Sequence, residues 1–225
     1  SALAQPFLVE NGQPRAEIII PENPTRMQRV AAEEFREDIE KISGARLPIV
    51  TAPSGKMAVK VFIGRSAHTD ALKITAEGLQ YGAYRIATGA DWMVLIGDDR
   101  DFVPIAPFAP GRGDIPRAQA EWEKLTDSHW GMPGASLYKY RVRLPGSIGK
   151  PDGAVTDKNE SLDVWGLDER GSFNAVCGFL HQLGARWYMP GELGEVLPSM
   201  QTIALPKLDE TVHPDFALRQ FNFRF

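Results

Sequence analysis

"RGSFNAVCGFLHQLGARWYMPGELGEVLP", Arg170 to Pro198, carries a helix, a sharp stop and an aromatic strand in one run. Phe173, Val176, Cys177, Leu180 and Leu183 recur at three- and four-residue steps, the period of a helix with one apolar stripe. Ser172 is placed to cap its start and Gly184 to end it in the left-handed conformation. The prediction is a nearly buried helix on which Cys177 is an inert small hydrophobe. "RWYM" then reads as a strand, stopped by Pro190-Gly191. Trp187 and Tyr188 are adjacent, so in a strand one faces the core and the other faces outward, toward a neighbouring domain or a sugar ring. Glu192 and Glu195 flank Gly194. Catalytic carboxyl pairs come from separate elements, so that one is desolvated while the other stays ionised, and "PGELGE" therefore reads as a solvated turn.

Upstream, "PTRMQRVAAEEFREDIEKISG" sets Met27, Val30, Ala31, Phe35, Ile39 and Ile42 on one helical face, with Thr25 as cap and Gly44 as stop. Phe7 to Ile20 contains two β-rich runs around Asn-Gly-Gln-Pro, which predicts two opening strands joined as a hairpin. "RLPIV" and "MAVKVFIG" are short strands, the first confined to an edge or a strand end by Pro48 and Pro53. "GLQYGAYRIAT" and "DWMVLIG" predict a hairpin across Gly89-Ala90-Asp91, and "TIALP" a further short strand. Residues 101–164 are rich in proline and glycine and predict a loop-rich insertion with one short helix at "RAQAEWEKLTDSHWG". "HPDFALRQFNFRF" alternates like the opening of another strand, as if the protein continued beyond it. The fold class expected is α+β: a mixed β-sheet with helices packed on one face.

Several function classes are excluded or disfavoured. With 43% apolar residues the chain builds its own core, and no window nears the 18 apolar residues or so of a membrane span. A net charge of −4 without a basic run argues against nucleic acid. His68, His129, His181 and His213 stand apart and no His-Glu-x-x-His occurs, so neither metal nor cofactor is expected. The acidic "GDDRDF" lacks the distal ligands of a calcium loop and reads as a solvated turn. Ala2-Leu3-Ala4 ahead of Gln5 has the small-x-small pattern of a signal-peptidase site, pointing to a secreted or periplasmic protein.

"AAEEFREDIEKISGARLPIV", "YRIATGADWMVLIG" and the opening run, in that order, resemble the N-terminal accessory domain that precedes the catalytic barrel in β-N-acetylhexosaminidases and α-glucuronidases, and most closely a group of uncharacterised exported proteins of that architecture. The likeness covers residues 5–100 and 165–225. It implies a zincin-like shape without the metal motif, with an accessory domain over 5–213, the 101–164 insertion inside it, and the start of a barrel at 214–225. Pro214-Asp215-Phe216-Ala217-Leu218-Arg219 matches the Pro-x-Phe-x-x-Arg that opens the hexosaminidase barrel, where the arginine contacts sugar hydroxyls, and this nominates Arg219 as a substrate contact. The hexosaminidase pattern continues with Gly and then Asp, whereas Gln220-Phe221-Asn222 follows here.

The function expected is a non-catalytic accessory domain of an exported glycoside hydrolase acting on a polysaccharide or glycan. Its partner would be a C-terminal catalytic barrel of the same chain, with the catalytic carboxylates in that barrel. Trp187, Tyr188 and Glu192 are candidates for contact with that barrel or with carbohydrate. Two alternatives stand: a carbohydrate-binding module with an aromatic platform drawn from Trp122, Trp130, Trp165 and Trp187, and a protein-interaction module built on the insertion.

Overall fold

The computed structural model describes residues 5–104, 106–109, 112–127, 139–144, 160–189 and 191–216. In chain order the strands and helices are β1 (Phe7–Glu10), β2 (Gln13–Pro14), β3 (Ala16–Ile19), α1 (Arg26–Ser43), β4 (Ile49–Val50), β5 (Val59–Ile63), α2 (Ala67–Ala71), β6 (Tyr84–Thr88), β7 (Trp92–Gly97), α3 (Ile115–Thr126), β8 (Lys139–Leu144), β9 (Glu160–Trp165), α4 (Gly171–Leu183), β10 (Arg186–Trp187), β11 (Glu195–Val196), β12 (Ile203–Ala204) and β13 (Asp209–Val212).

The fold is α+β. Six strands form one mixed sheet in the order β13-β6-β7-β5-β3-β4, in which β4, β3, β5 and β7 run parallel, β6 pairs antiparallel with β7, and β13 antiparallel with β6. Side chains alternate across it. Ile18, Val61, Ile63, Ile86, Met93 and Leu95 point to the side covered by α1 and α4, where Phe35 and Phe179 meet at 5.8 Å. Ile19, Phe62, Val94, Ile96 and Ala87 point to the other side, where Ile74, Leu79 and Ala83 cover them. The first helix forms as its pattern predicts: Thr25 and Gln28 make a reciprocal capping box, and Gly44 ends the helix at φ 76°. Strand β4 lies at the sheet edge, as its prolines require.

Three expectations need correction. The two opening runs are not partners: Asn11 and Gly12 turn β1 back onto the two-residue β2, with β12 on the other flank of β1, and the second run becomes β3 of the main sheet. The 101–164 segment contains α3, as expected, but also a β8–β9 hairpin that lies against α1. Ser172 does not cap α4; Arg170 holds the cap position. The Ser172 hydroxyl instead donates to Asp99 Oδ2 (2.5 Å) and accepts from the Gly97 amide (3.1 Å).

The end of β7 and the start of α4 touch backbone to backbone. A Cβ on Gly171 would lie 2.6 Å from Asp98 N and Gly97 Cα, and one on Gly97 would strike Gly171 in turn. Asp99 acts as the missing cap, accepting from Ser172 N (2.9 Å) and Gln28 Nε2 (3.0 Å). Beside it, Arg26 forks Asp168 through Nε (3.0 Å) and Nη2 (2.6 Å), and Asp168 also accepts from the amides of Phe102 (2.8 Å) and Trp165 (2.7 Å). Burial pushes the Asp168 carboxyl up, but the Arg26 hydrogen bonds and the two amides together outweigh it and hold it below its ordinary value.

Gly171→Ala is expected to destabilise by about 2–3 kcal/mol, because its neighbours are backbone. Gly178→Ala meets the movable tip of Tyr84 and gains helix propensity, so its cost should be under about 1 kcal/mol. Urea unfolding midpoints compare the two. Asp168→Ala removes the forked partner of Arg26, leaving it only Asp101 at 3.8 Å and the Phe102 carbonyl, leaves two amides unsatisfied, and should cost about 3 kcal/mol by the same measurement.

Candidate functional site

After Gly184 closes α4 at φ 108°, the chain turns through Ala185 into a two-stranded hairpin, β10 paired with β11. Its tip is a tight 3₁₀ turn, held by Tyr188 N donating to Gly194 O (2.8 Å) and Gly194 N to Gly191 O (3.0 Å). Gly191 sits at φ 89°, in the left-handed region that disfavours a side chain. The turn leaves large apolar side chains in water: Tyr188 is 74% exposed, Met189 58%, Leu193 96% and Val196 52%.

One ion pair anchors the hairpin to α1. Lys41 Nζ reaches both Glu195 oxygens (2.8 and 2.9 Å) and stands 3.5 Å from Asp38 Oδ1. Glu34, Asp38 and Lys41 are four and three residues apart, so they share one side of α1. Together Glu34, Lys41, Glu195, Trp187, Tyr188, Met189, Gly191 and Glu192 line an open cleft of about 660 Å³. The structure thus places Trp187, Tyr188 and Glu192 on one cleft. Glu195 belongs with them but engages Lys41, so "PGELGE" is not simply a solvated turn. Arg219 and Trp130 lie outside the described residues.

Two carboxyls at the cleft, Glu34 and Asp38, are poorly solvated. Burial pushes Glu34 up to about 7, with Asp38, Glu37 and Glu195 adding repulsion and Lys41 opposing it. Asp38 is pushed up to about 6 by burial, against Lys41. Cys177, on the adjoining side of α4, is pushed up to about 12 by burial and by Glu34 and Asp38, in keeping with an inert thiol. Asp99, far from the cleft, is pushed up to about 6 by burial despite its hydrogen bonds to Ser172 and Gln28, so "GDDRDF" is a tethered capping segment rather than a solvated turn. No group of three or more His, Cys, Asp or Glu is placed to hold a metal ion among the described residues. No helix there is long and apolar enough to cross a membrane.

Among the described residues, neither Trp122 nor Trp165 lines the cleft. Trp165 packs edge-on against Phe102 and Phe108 (5.9 and 5.6 Å), and Trp122 is half-buried on α3. Sequence reasoning missed Glu34, Asp38 and Lys41, which read as part of the solvated face of an amphipathic helix. Their spacing puts them in one row, but what covers that row comes from more than 130 residues downstream. Neither a protein-family model nor a curated protein matches the chain.

Raised carboxyls make stability pH-dependent in a direction opposite to ordinary acid denaturation. Glu33, Glu34, Asp38 and Asp99 hold protons in the folded chain at pH values where the unfolded chain has released them, so stability falls as pH rises from about 4.5 to 7. Thermal midpoints should be higher at pH 5 than at pH 7.5, and Glu34→Gln with Asp38→Asn should reduce the slope of the profile without abolishing it, because Glu33 and Asp99 still titrate. Below pH 4, protonation of Asp168 reverses the trend.

Proposed function

We propose that this chain is a non-catalytic accessory domain of an exported glycoside hydrolase, seated through the 187–196 hairpin and the adjoining side of α1 against a catalytic barrel of the same polypeptide. The observation that carries the reading is the chemistry of the exposed face. Met189, Leu193 and Val196 stand in water beside Tyr188, and aliphatic groups so exposed are what a protein interface buries. A sugar platform would instead need coplanar aromatic rings. The resemblance of the first helix, the β6–β7 hairpin and the Arg170–Pro198 run to hexosaminidase and α-glucuronidase accessory domains supports the same assignment. In this reading the Pro214–Arg219 segment leads into the barrel, and Arg219 is its sugar contact.

The chain alone should release no product from aryl β-N-acetylglucosaminides or aryl α-glucuronides and should bind nothing on a glycan array. Glycan binding that Trp187→Ala abolishes would replace the docking role with a carbohydrate-binding one. Hydrolysis by the chain alone would overturn the non-catalytic reading.

A further inference from the structure

We propose that the crevice outside the carboxyl ends of β5 and β7 binds a small uncharged polyol, a free monosaccharide or cyclitol, through its adjacent hydroxyls. Gln28, in the first turn of α1, lines this crevice, whereas Lys41 and the hairpin lie near the other end of that helix, about 20 Å away. The inference therefore stands apart from the docking role.

The path of the chain makes the crevice. From β3 the chain enters α1, on the side of Ile18 and Val61. From β5 it enters α2 and the 72–79 segment on the opposite side, where His68 stacks on Phe62 at 5.5 Å and Ile74 and Leu79 join the cluster of Ile19. Beyond β7 it returns through the insertion to α4, on the first side. Parallel neighbours whose connections part to opposite faces leave a gap beyond their carboxyl ends, and open α/β sheets bind ligands in such gaps. Here the gap is a cavity of about 600 Å³, the size of a small-molecule site.

Its inner wall is a buried amide. Gly64, the residue after β5, sits at φ 82°, and a Cβ there would strike the Gln28 side chain. Without one, the Gln28 amide lies over the strand end, 5% exposed, accepting from Thr25 N (3.0 Å) and donating to Asp99 (3.0 Å). Its Nε2 carries two hydrogens, and the second has no partner among the described residues. A buried donor left unmade is costly, and a ligand acceptor in the cavity removes that cost.

The ligand class follows from the other walls. The 72–79 segment contributes the Thr75 hydroxyl and the Glu77 carboxylate, neither of them hydrogen-bonded or ion-paired among the described residues. Arg100 pairs with Asp98 at 3.0 Å and Arg65 with Asp70 at 3.3 Å, and each guanidinium has further N–H groups to offer. Donors and acceptors thus share one cavity in which three carboxyls face two guanidiniums, so an anion gains no net attraction. No aromatic ring among the described residues lines it, and a nucleobase has nothing to stack on. A hydroxyl both donates and accepts, so neighbouring hydroxyls on a ring satisfy either kind of group without bringing a charge. A ligand of about a dozen non-hydrogen atoms binds at roughly 1–10 mM, too weakly to survive the washing of a glycan array.

The test is an NMR titration of the labelled chain at pH 7.5, reading the Gln28 side-chain amide, the Gly64 and Gly97 amides and the Trp187 indole. The probes, each taken to about 100 mM, are D-glucose, N-acetyl-D-glucosamine, myo-inositol, D-glucuronate and inorganic phosphate. At least one of the three neutral probes should shift Gln28, Gly64 and Gly97 saturably, with a Kd of roughly 1–10 mM. Binding by a sugar alone identifies a monosaccharide site, binding by inositol alone a cyclitol site, and binding by both a site for the hydroxylated ring itself. Thr75→Val with Glu77→Gln, both at exposed positions, should weaken the binding at least about fivefold, and Trp187→Ala should leave it unchanged. No saturable shift from any neutral probe, tighter binding of glucuronate or phosphate than of every neutral probe, or binding unmoved by the Thr75 and Glu77 substitutions would overturn the inference and leave the docking role standing. Sugar-induced shifts confined to Trp187 and abolished by Trp187→Ala would overturn both.

Discussion

The absence of two side chains holds the arrangement together. Because Gly97 and Gly171 carry no Cβ, the last residue of β7 and the first of α4 lie in direct backbone contact. Only at that distance can Asp99 reach the Ser172 amide and hydroxyl, and through the same carboxylate accept from Gln28 on α1. The N-terminal ends of both helices are thereby fixed to one strand end. Their bodies then run side by side over the sheet with Phe35 against Phe179, and the hairpin that follows Gly184 is delivered to the flank of α1. A wider spacing at the glycines would move Lys41 away from Glu195, three turns and a loop distant.

The buried acids are treated in two ways. Asp168 and Glu17 have every need met: one by Arg26 and two amides, the other by the amide and hydroxyl of Ser54. Glu34 and Asp38 are desolvated to a similar end but left with one shared lysine.

Much of the framework was legible because it is written locally. The Thr25 cap, the Gly44 and Gly184 stops, the period of α1 and the β6–β7 turn each follow from a few neighbouring residues. What could not be read depends on distant partners. The helix of the opening run buries Ala175, Val176, Phe179 and Leu180 most deeply, while Phe173 and Leu183 of its expected stripe are only partly covered, because α1 rather than the sheet alone decides the face. "GDDRDF" looks solvated until α4 arrives beside it. Strand β13, with all four residues exposed, has Val212 as its one apolar residue and is held by pairing along the edge of β6. The cleft is the extreme case: Trp187, Tyr188 and Glu192 were visible as a group, whereas the acids opposite them belong to a helix that reads as ordinary.

The route of the chain also sets the order in which it can be finished. Strand β1 takes its outer partner from β12, where the Asn11 amide reaches Thr202 across 191 residues, and the edge of β6 is covered by β13. During synthesis both edges therefore emerge early and stay open until residues 203–212 have left the ribosome. An open strand edge is a template for pairing with other molecules, and the long loop closures needed to cover it are slow. Truncations that remove residues beyond about Gln201 would thus act less as losses of stability than as hazards of misassembly, with unpaired β1 and β6 recruiting the same strands from neighbouring copies.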